Sequence, residues 1–398
     1  MSSPAVDSHA ATRSDGDNPG GFAHIPALDG IRGLAILLVL FDHLFWANSQ
    51  TGSRIFDFIS TLREASYIGV NLFFALSGFL ITGILMDSLA APNFFRNFYA
   101  RRSLRIFPLY YGFLLLVLAL TPVLHLTWSG WEYSYLTYTS NLIAPFHGGP
   151  LQLGLFNINH FWSLQVEEQF YWIWPLVVWH FRNSRSIVRI SLAGCGVALG
   201  LRIVCVILKG HAGFGDPYLP YSFTPCCADN LLYGCCLAAL VRSAKRGRVL
   251  RVAPYALLGC AAILWIVSML NNGLDWTKPG TGWMVATFGF SLMGVASAST
   301  IAWVLRPGSS TKRIFERPFL RFMGKYSYGI YVFHYSIGSA LTPLRGILDA
   351  HLHVKALGVL LTALIAGAAS VGVAWLSYRF YEAPFLRLKR YFSYQRAG

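Results

Sequence analysis

The sequence predicts an all-α polytopic membrane protein, with about ten transmembrane helices around a central polar cavity. Three observations carry this. Charged residues make up 12% of the 398 residues and hydrophobic ones 55%, about half the charge of a soluble domain. The mean hydropathy is +0.49. Apolar runs long enough to cross a hydrocarbon core of ~30 Å recur from end to end.

The runs fall at about 27–47, 67–88, 105–124, 163–181, 187–208, 225–241, 252–270, 281–305, 325–343 and 355–381. Residues 1–25 are rich in Ser, Asp, Gly and Ala. They lack the apolar stretch of a signal peptide and read as a disordered cytoplasmic tail. Residues 26–385 then form one transmembrane domain, and 386–398 a basic cytoplasmic tail.

The loops orient the chain. Arg96, Arg101, Arg102 and Arg105 follow the second run; Arg242, Lys245, Arg246, Arg248 and Arg251 follow the sixth; Arg306, Lys312, Arg313, Arg317 and Arg321 follow the eighth. The stretch 125–162 between the third and fourth runs has no Lys or Arg. That asymmetry places both termini in the cytoplasm. It also accounts for the net charge of +15 without nucleic acid. The expected surroundings are a lipid bilayer and, by the resemblance described below, the plasma (inner) membrane. The seven cysteines fall in or beside the runs, with no His at zinc-ligand spacing. They read as packing residues, and no metal is expected.

The first run, ALDGIRGLAILLVLFDHLFW, carries Arg32 near its start and His43 near its end. Eleven helical positions separate them by roughly 16 Å, about half the hydrocarbon thickness. Ionisable groups at membrane depth are functional candidates by default. Arg102 and Arg105, in ARRSLRIFPLYY, are three apart and share a helix face. With Arg32 they make a cytoplasmic basic pocket suited to phosphate oxygens. The fourth run, HFWSLQVEEQFYWIWP, brings Glu167 and Glu168 to the expected level of His43. Adjacent helical positions point about 100° apart, so one of the two is expected to face the imidazole, fix its tautomer and let it act as a base. Which of them does so stays open.

Smaller signals complete the set. GVNLFFALSGFLITG puts Asn71 in the outer part of the second run and Ser77-Gly78 in its middle, where the glycine permits close helix approach. GKYSYGIYVFH puts Tyr331 and His334 three apart on one face, as lining for a polar cavity. His160 is either a site residue or an ordinary interfacial histidine. Arg202 and Asp229, in neighbouring runs, read as a structural pair.

Taken in this order, the motifs resemble the membrane acyltransferase family 3, integral-membrane O-acyltransferases of surface polysaccharides, lipids and antibiotics. The resemblance rests on Arg32 and His43 within LDGIRGLAILLVLFDH, on GVNLFFALSGFLI, RRSLRIFPLYY, FWSLQVEEQFYWIWP and GKYSYGIYVFH, and on YRFYEAPF with Glu382 and Pro384. One departure is TPCCADNLLYG, where Cys227 stands two residues before Asp229 in place of an Arg. No counterpart of the hydrolase-like domain of many relatives is expected after the tenth run. The resemblance implies an acyl-CoA co-substrate, most simply acetyl-CoA, with no tightly bound cofactor. It also implies a hydroxyl-bearing acceptor: a carbohydrate, a glycolipid or a secreted small molecule. His43 and Glu167 would then be catalytic, with Arg32, Arg102, Arg105, Glu168, Asn71, Tyr331 and His334 binding substrates. The alternative is a proton-coupled transporter using His43 and Glu167 as a relay. Oligomeric state is left open by the sequence.

Overall fold

The computed structural model describes residues 24–45, 59, 62–128, 130–146, 158–212, 218–271, 273–277, 280–352 and 355–394. Residues 1–23 of the expected N-terminal tail and 395–398 of the expected C-terminal tail lie outside these. The described elements are all helical, with no strand among them.

Ten long helices follow one another: α1 (Pro26–Leu44), α2 (Ile68–Asp87), α3 (Phe94–Leu124), α4 (Trp162–Phe181), α5 (Ser184–Ala212), α6 (Thr224–Val241), α7 (Arg246–Asn271), α8 (Phe290–Val304), α9 (Pro318–Ala340) and α10 (Lys355–Ser377). Among the described residues, seven helices are long and apolar enough to cross a membrane. The chain is thus a multi-pass membrane protein. Those seven are α2, α3, α5, α6, α7, α8 and α10, some with flanking turns. The remaining three, α1, α4 and α9, carry Arg32 and His43, Glu167 and Glu168, and Tyr331 and His334. These three helices carry much of the polarity of the site, and α3 adds Arg102 and Arg105.

Two helices, α3 and α10, reach beyond the apolar runs that predict them. α3 begins at Phe94, so Arg96, Arg101 and Arg102 are helical rather than loop residues. No Pro or Gly interrupts FFRNFYARRSLRIF, and Arg is a good helix former. α10 also outruns its hydrophobic stretch. It continues through a π-helical turn, Tyr378–Glu382, and short helical pieces, Ala383–Arg387 and Leu388–Phe392.

The inner helices and the outer belt differ in burial. The most apolar windows of α2, α6 and α8 are 72% buried, whereas that of α7 is 17%. Tyr255, Leu258 and Trp265 of α7 point outward as lipid-facing apolar surface. Among the helix pairs in close backbone approach are α2 with α6 and α1 with α9. A Cβ on Gly78 of α2 would overlap the Leu231 carbonyl of α6, as the sequence leads one to expect. A Cβ on Gly33 of α1 would overlap the Leu320 carbonyl of α9, and one on Gly324 of α9 the Asp29 carbonyl of α1. That second, reciprocal fit fixes α1 against α9 near the Arg32 end.

Candidate active site

The α1–α9 pair carries a basic group at one end and an imidazole pair at the other. His43 Nδ1 lies 2.8 Å from His334 Nε2, across 291 residues of sequence. His334 Nδ1 lies 2.7 Å from the Tyr331 carbonyl oxygen and 3.2 Å from that of Ile330. Carbonyls only accept, so His334 Nδ1 carries the proton and its Nε2 accepts. His43 Nδ1 must then donate. The neutral His43 ring keeps its Nε2 lone pair free, 3.7 Å from Asp42 Oδ2. That spacing is too long for a hydrogen bond but close enough to stabilise an imidazolium. Asp42 is itself held by Arg63, 3.4 Å away.

His43 opens onto a cavity of about 730 Å³. Its walls are aromatic and charged: Tyr67, Trp162, Tyr221 and Trp276 with Asp42, Glu64, Arg63 and Arg345. Trp276 stacks on Tyr221 at 4.6 Å between ring centroids and meets Tyr67 edge-on at 4.9 Å. His160 also lines this cavity, buried between His334 and Tyr335. Both its ring nitrogens lack a hydrogen-bond partner among the described residues. Being buried on the cavity wall, it is no ordinary interfacial histidine.

A second, narrower cavity of about 100 Å³ lies toward the Arg32 end. Arg32, Arg102, Arg105, Ser77, Glu167 and Tyr171 line it. The Arg102 guanidinium sits over the Tyr171 ring, 5.0 Å from its centroid. The Ser77 and Tyr171 hydroxyls share a short hydrogen bond. Arg32 pairs with Asp29 at 3.3 Å, one turn back. The two cavities share Val70 and Tyr331 as lining residues. There the Tyr331 hydroxyl is 2.5 Å from Ser163 Oγ and 2.9 Å from the His160 carbonyl oxygen, to which it donates.

The expected pairing of Glu167 with His43 is therefore corrected. Glu167 lines the narrow cavity beside Arg102, Ser77 and Tyr171, and His334 is the residue that orients His43. The reason is depth. α4 starts at Trp162, after a 3-10 turn, Asn159–Phe161, whose His160 and Phe161 are already buried. The helix thus begins inside the protein, and Glu167 falls further from the His43 end than counting from a surface predicts. With it goes the relay on which the transporter reading drew. Glu168 points elsewhere, buried near Tyr110, Tyr111, Tyr138 and Tyr328. Asn71 donates to Asn230 Oδ1 at 2.8 Å and joins α2 to α6 rather than lining either cavity. Arg32, Arg102 and Arg105 do converge, and Tyr331 and His334 do lie at the site. Asp42 and Arg63 were missed by the sequence reading. The signal for Asp42 was its place beside His43 in FDHL.

A family model described as an acyltransferase domain matches residues 25–379. The chain belongs to this acyltransferase family. The peptidoglycan O-acetyltransferase OatA of Listeria monocytogenes is 28% identical over 91% of the chain and 56% of its own length. A putative peptidoglycan O-acetyltransferase of Bacillus subtilis, YrhL, is 31% identical over 94% of the chain and 56% of its own length. The O-acetyltransferase OatA of Staphylococcus aureus is 27% identical over 91% and 57%. The chain thus spans a little over half the length of these acyltransferase relatives. No solved structure matches it.

Proposed function

We propose that this acyltransferase-family chain moves an acyl group, most simply acetyl, from acyl-CoA to a hydroxyl of a carbohydrate or glycolipid acceptor. One observation carries the reading. Two cavities of different character adjoin at Tyr331: a narrow one ringed by Arg32, Arg102 and Arg105, and a wide one holding the free His43 Nε2. The basic loops favour placing the narrow cavity toward the cytoplasm, the compartment of acyl-CoA. The wide cavity then faces outward in the plasma (inner) membrane. The names of the relatives favour a cell-wall sugar as acceptor.

The arginines would hold the phosphates of the donor, and its uncharged arm would run toward Tyr331. In the transfer step the acceptor hydroxyl attacks the thioester carbonyl carbon while His43 Nε2 takes its proton. The C–S bond breaks, the ester forms, and the imidazolium returns the proton to the CoA thiolate. His334 fixes the tautomer this needs, and Asp42 stabilises the transient charge. Glu167 is a counter-charge for Arg102 and Arg32 rather than a partner of His43.

The test is CoA release by purified protein given labelled acetyl-CoA and peptidoglycan fragments or lipid-linked sugars. Acceptor-stimulated release that is lost in His43→Ala and in Arg32→Ala is the expected outcome. Protein that binds acetyl-CoA but transfers equally well without His43 would overturn the assignment of the base.

A further inference from the structure

The C-terminal segment beyond α10 does not trail away from the domain. Asn97 Nδ2 donates to the Ser393 carbonyl oxygen at 2.8 Å. Arg101 Nη1 donates to the carbonyl oxygens of Lys389 at 3.2 Å and Phe392 at 3.4 Å. The Arg96 guanidinium lies over the Phe392 ring, 5.6 Å from its centroid. The segment is therefore strapped to the turns of α3 that carry Arg101, Arg102 and Arg105. It places the part-buried Lys389 within electrostatic range of Arg105, Arg102, Arg101 and Arg32.

The charges around this point do not balance. Five cations, Arg32, Arg101, Arg102, Arg105 and Lys389, face four carboxylates: Asp29 beside Arg32, Glu167 and Glu168 toward Arg102, and Glu382 toward Arg105. Lys389 has no hydrogen bond or ion pair of its side chain among the described residues. Like charges gathered in a part-buried place repel and cost desolvation unless an anion sits among them. A primary ammonium on a flexible stem suits a compact, doubly charged phosphate.

We infer that Lys389, carried by the strap, is a ligand for a phosphate group at the mouth of the narrow cavity. This rests on the donor reading above. The thioester end of the donor points inward, so the phosphomonoester at the nucleoside end reaches the mouth. The residues matched by the family model stop at 379, so the assignment comes from the geometry of this chain alone. An anionic lipid headgroup offers the same phosphate chemistry, and the experiment separates the two sources.

Equilibrium binding of acetyl-CoA and of its 3′-dephospho form is measured with the full chain in nanodiscs of zwitterionic lipid. Wild type should prefer acetyl-CoA. Lys389→Gln should lose about tenfold on acetyl-CoA and little on the dephospho form, the size of one charge-assisted contact. Lys389→Arg should retain most of the binding. Equal loss on both ligands, or none on either, overturns the assignment while leaving the donor reading intact. Failure of wild type to bind either ligand overturns both. If Lys389→Gln alters only the retention of phosphatidylglycerol in mixed nanodiscs, the phosphate is a lipid's and the nucleotide assignment is wrong.

Discussion

Two polar constellations in this bundle differ in what can reach them. Arg202 of α5 and Asp229 of α6 form a two-pronged ion pair at 2.9 and 2.6 Å, with Ser291 donating to the same carboxylate at 2.8 Å. Both charged side chains are wholly buried, and neither lines a described cavity. His43 and Asp42 are part-buried, their side chains 24% and 19% exposed, and they open onto about 730 Å³ of space. In the first arrangement the two charges answer each other, and the one donor left over, Arg202 Nε, faces none of the described cavities. The second keeps one lone pair unspent. Burial of polar groups alone does not mark a site; an unsatisfied atom facing a cavity does.

Mutations should separate the two. Replacing His43 by Ala should cut acyl transfer by about 10²–10⁴-fold, with the melting temperature in detergent unchanged. A rate within tenfold of wild type would place the base elsewhere. Replacing Asp229 by Ala strands Arg202 and should cost about 3–5 kcal/mol of stability. That is read from thermal unfolding, with transfer per folded molecule preserved. Loss of transfer without loss of stability would erase the distinction. Gly33→Val drives a side chain into the Leu320 backbone and should cost about 1–3 kcal/mol. Because α1 and α9 also set the His43–His334 contact, this variant should lose both stability and rate. His334→Ala removes one hydrogen bond of roughly 1–1.5 kcal/mol, or about tenfold in rate, measured as kcat with acetyl-CoA saturating. Arg242 holds Asp87 at 2.9 and 2.8 Å near the ends of α6 and α2. Arg242→Ala should cost no more than about 1 kcal/mol and spare transfer.

Much of the architecture is legible in the chain. Runs of apolar residues separated by basic loops mark where each long helix lies, and Arg32 and His43 share one run. Arg102 and Arg105 are on one face by spacing alone, and Arg202 finds Asp229 as expected. What cannot be read is which groups meet across helices. The His43–His334 bond depends on Gly33 and Gly324 bringing two backbones together. The position of Glu167 depends on the turn Asn159–Phe161 being inside the protein. Counting residues from an assumed membrane surface misplaces it for that reason. Lys389 looks like one more tail cation until the strap on α3 is seen.

The Tyr331 hydroxyl, held by Ser163 and the His160 carbonyl where the two cavities adjoin, has a consequence for the cell's energy supply. The two cavities adjoin at Val70 and Tyr331, so these side chains stand between them. Each proton that slipped through would dissipate about 2.3 kcal/mol per 100 mV of membrane potential. A closed tyrosine between the cavities lets the bundle contain both and still hold voltage.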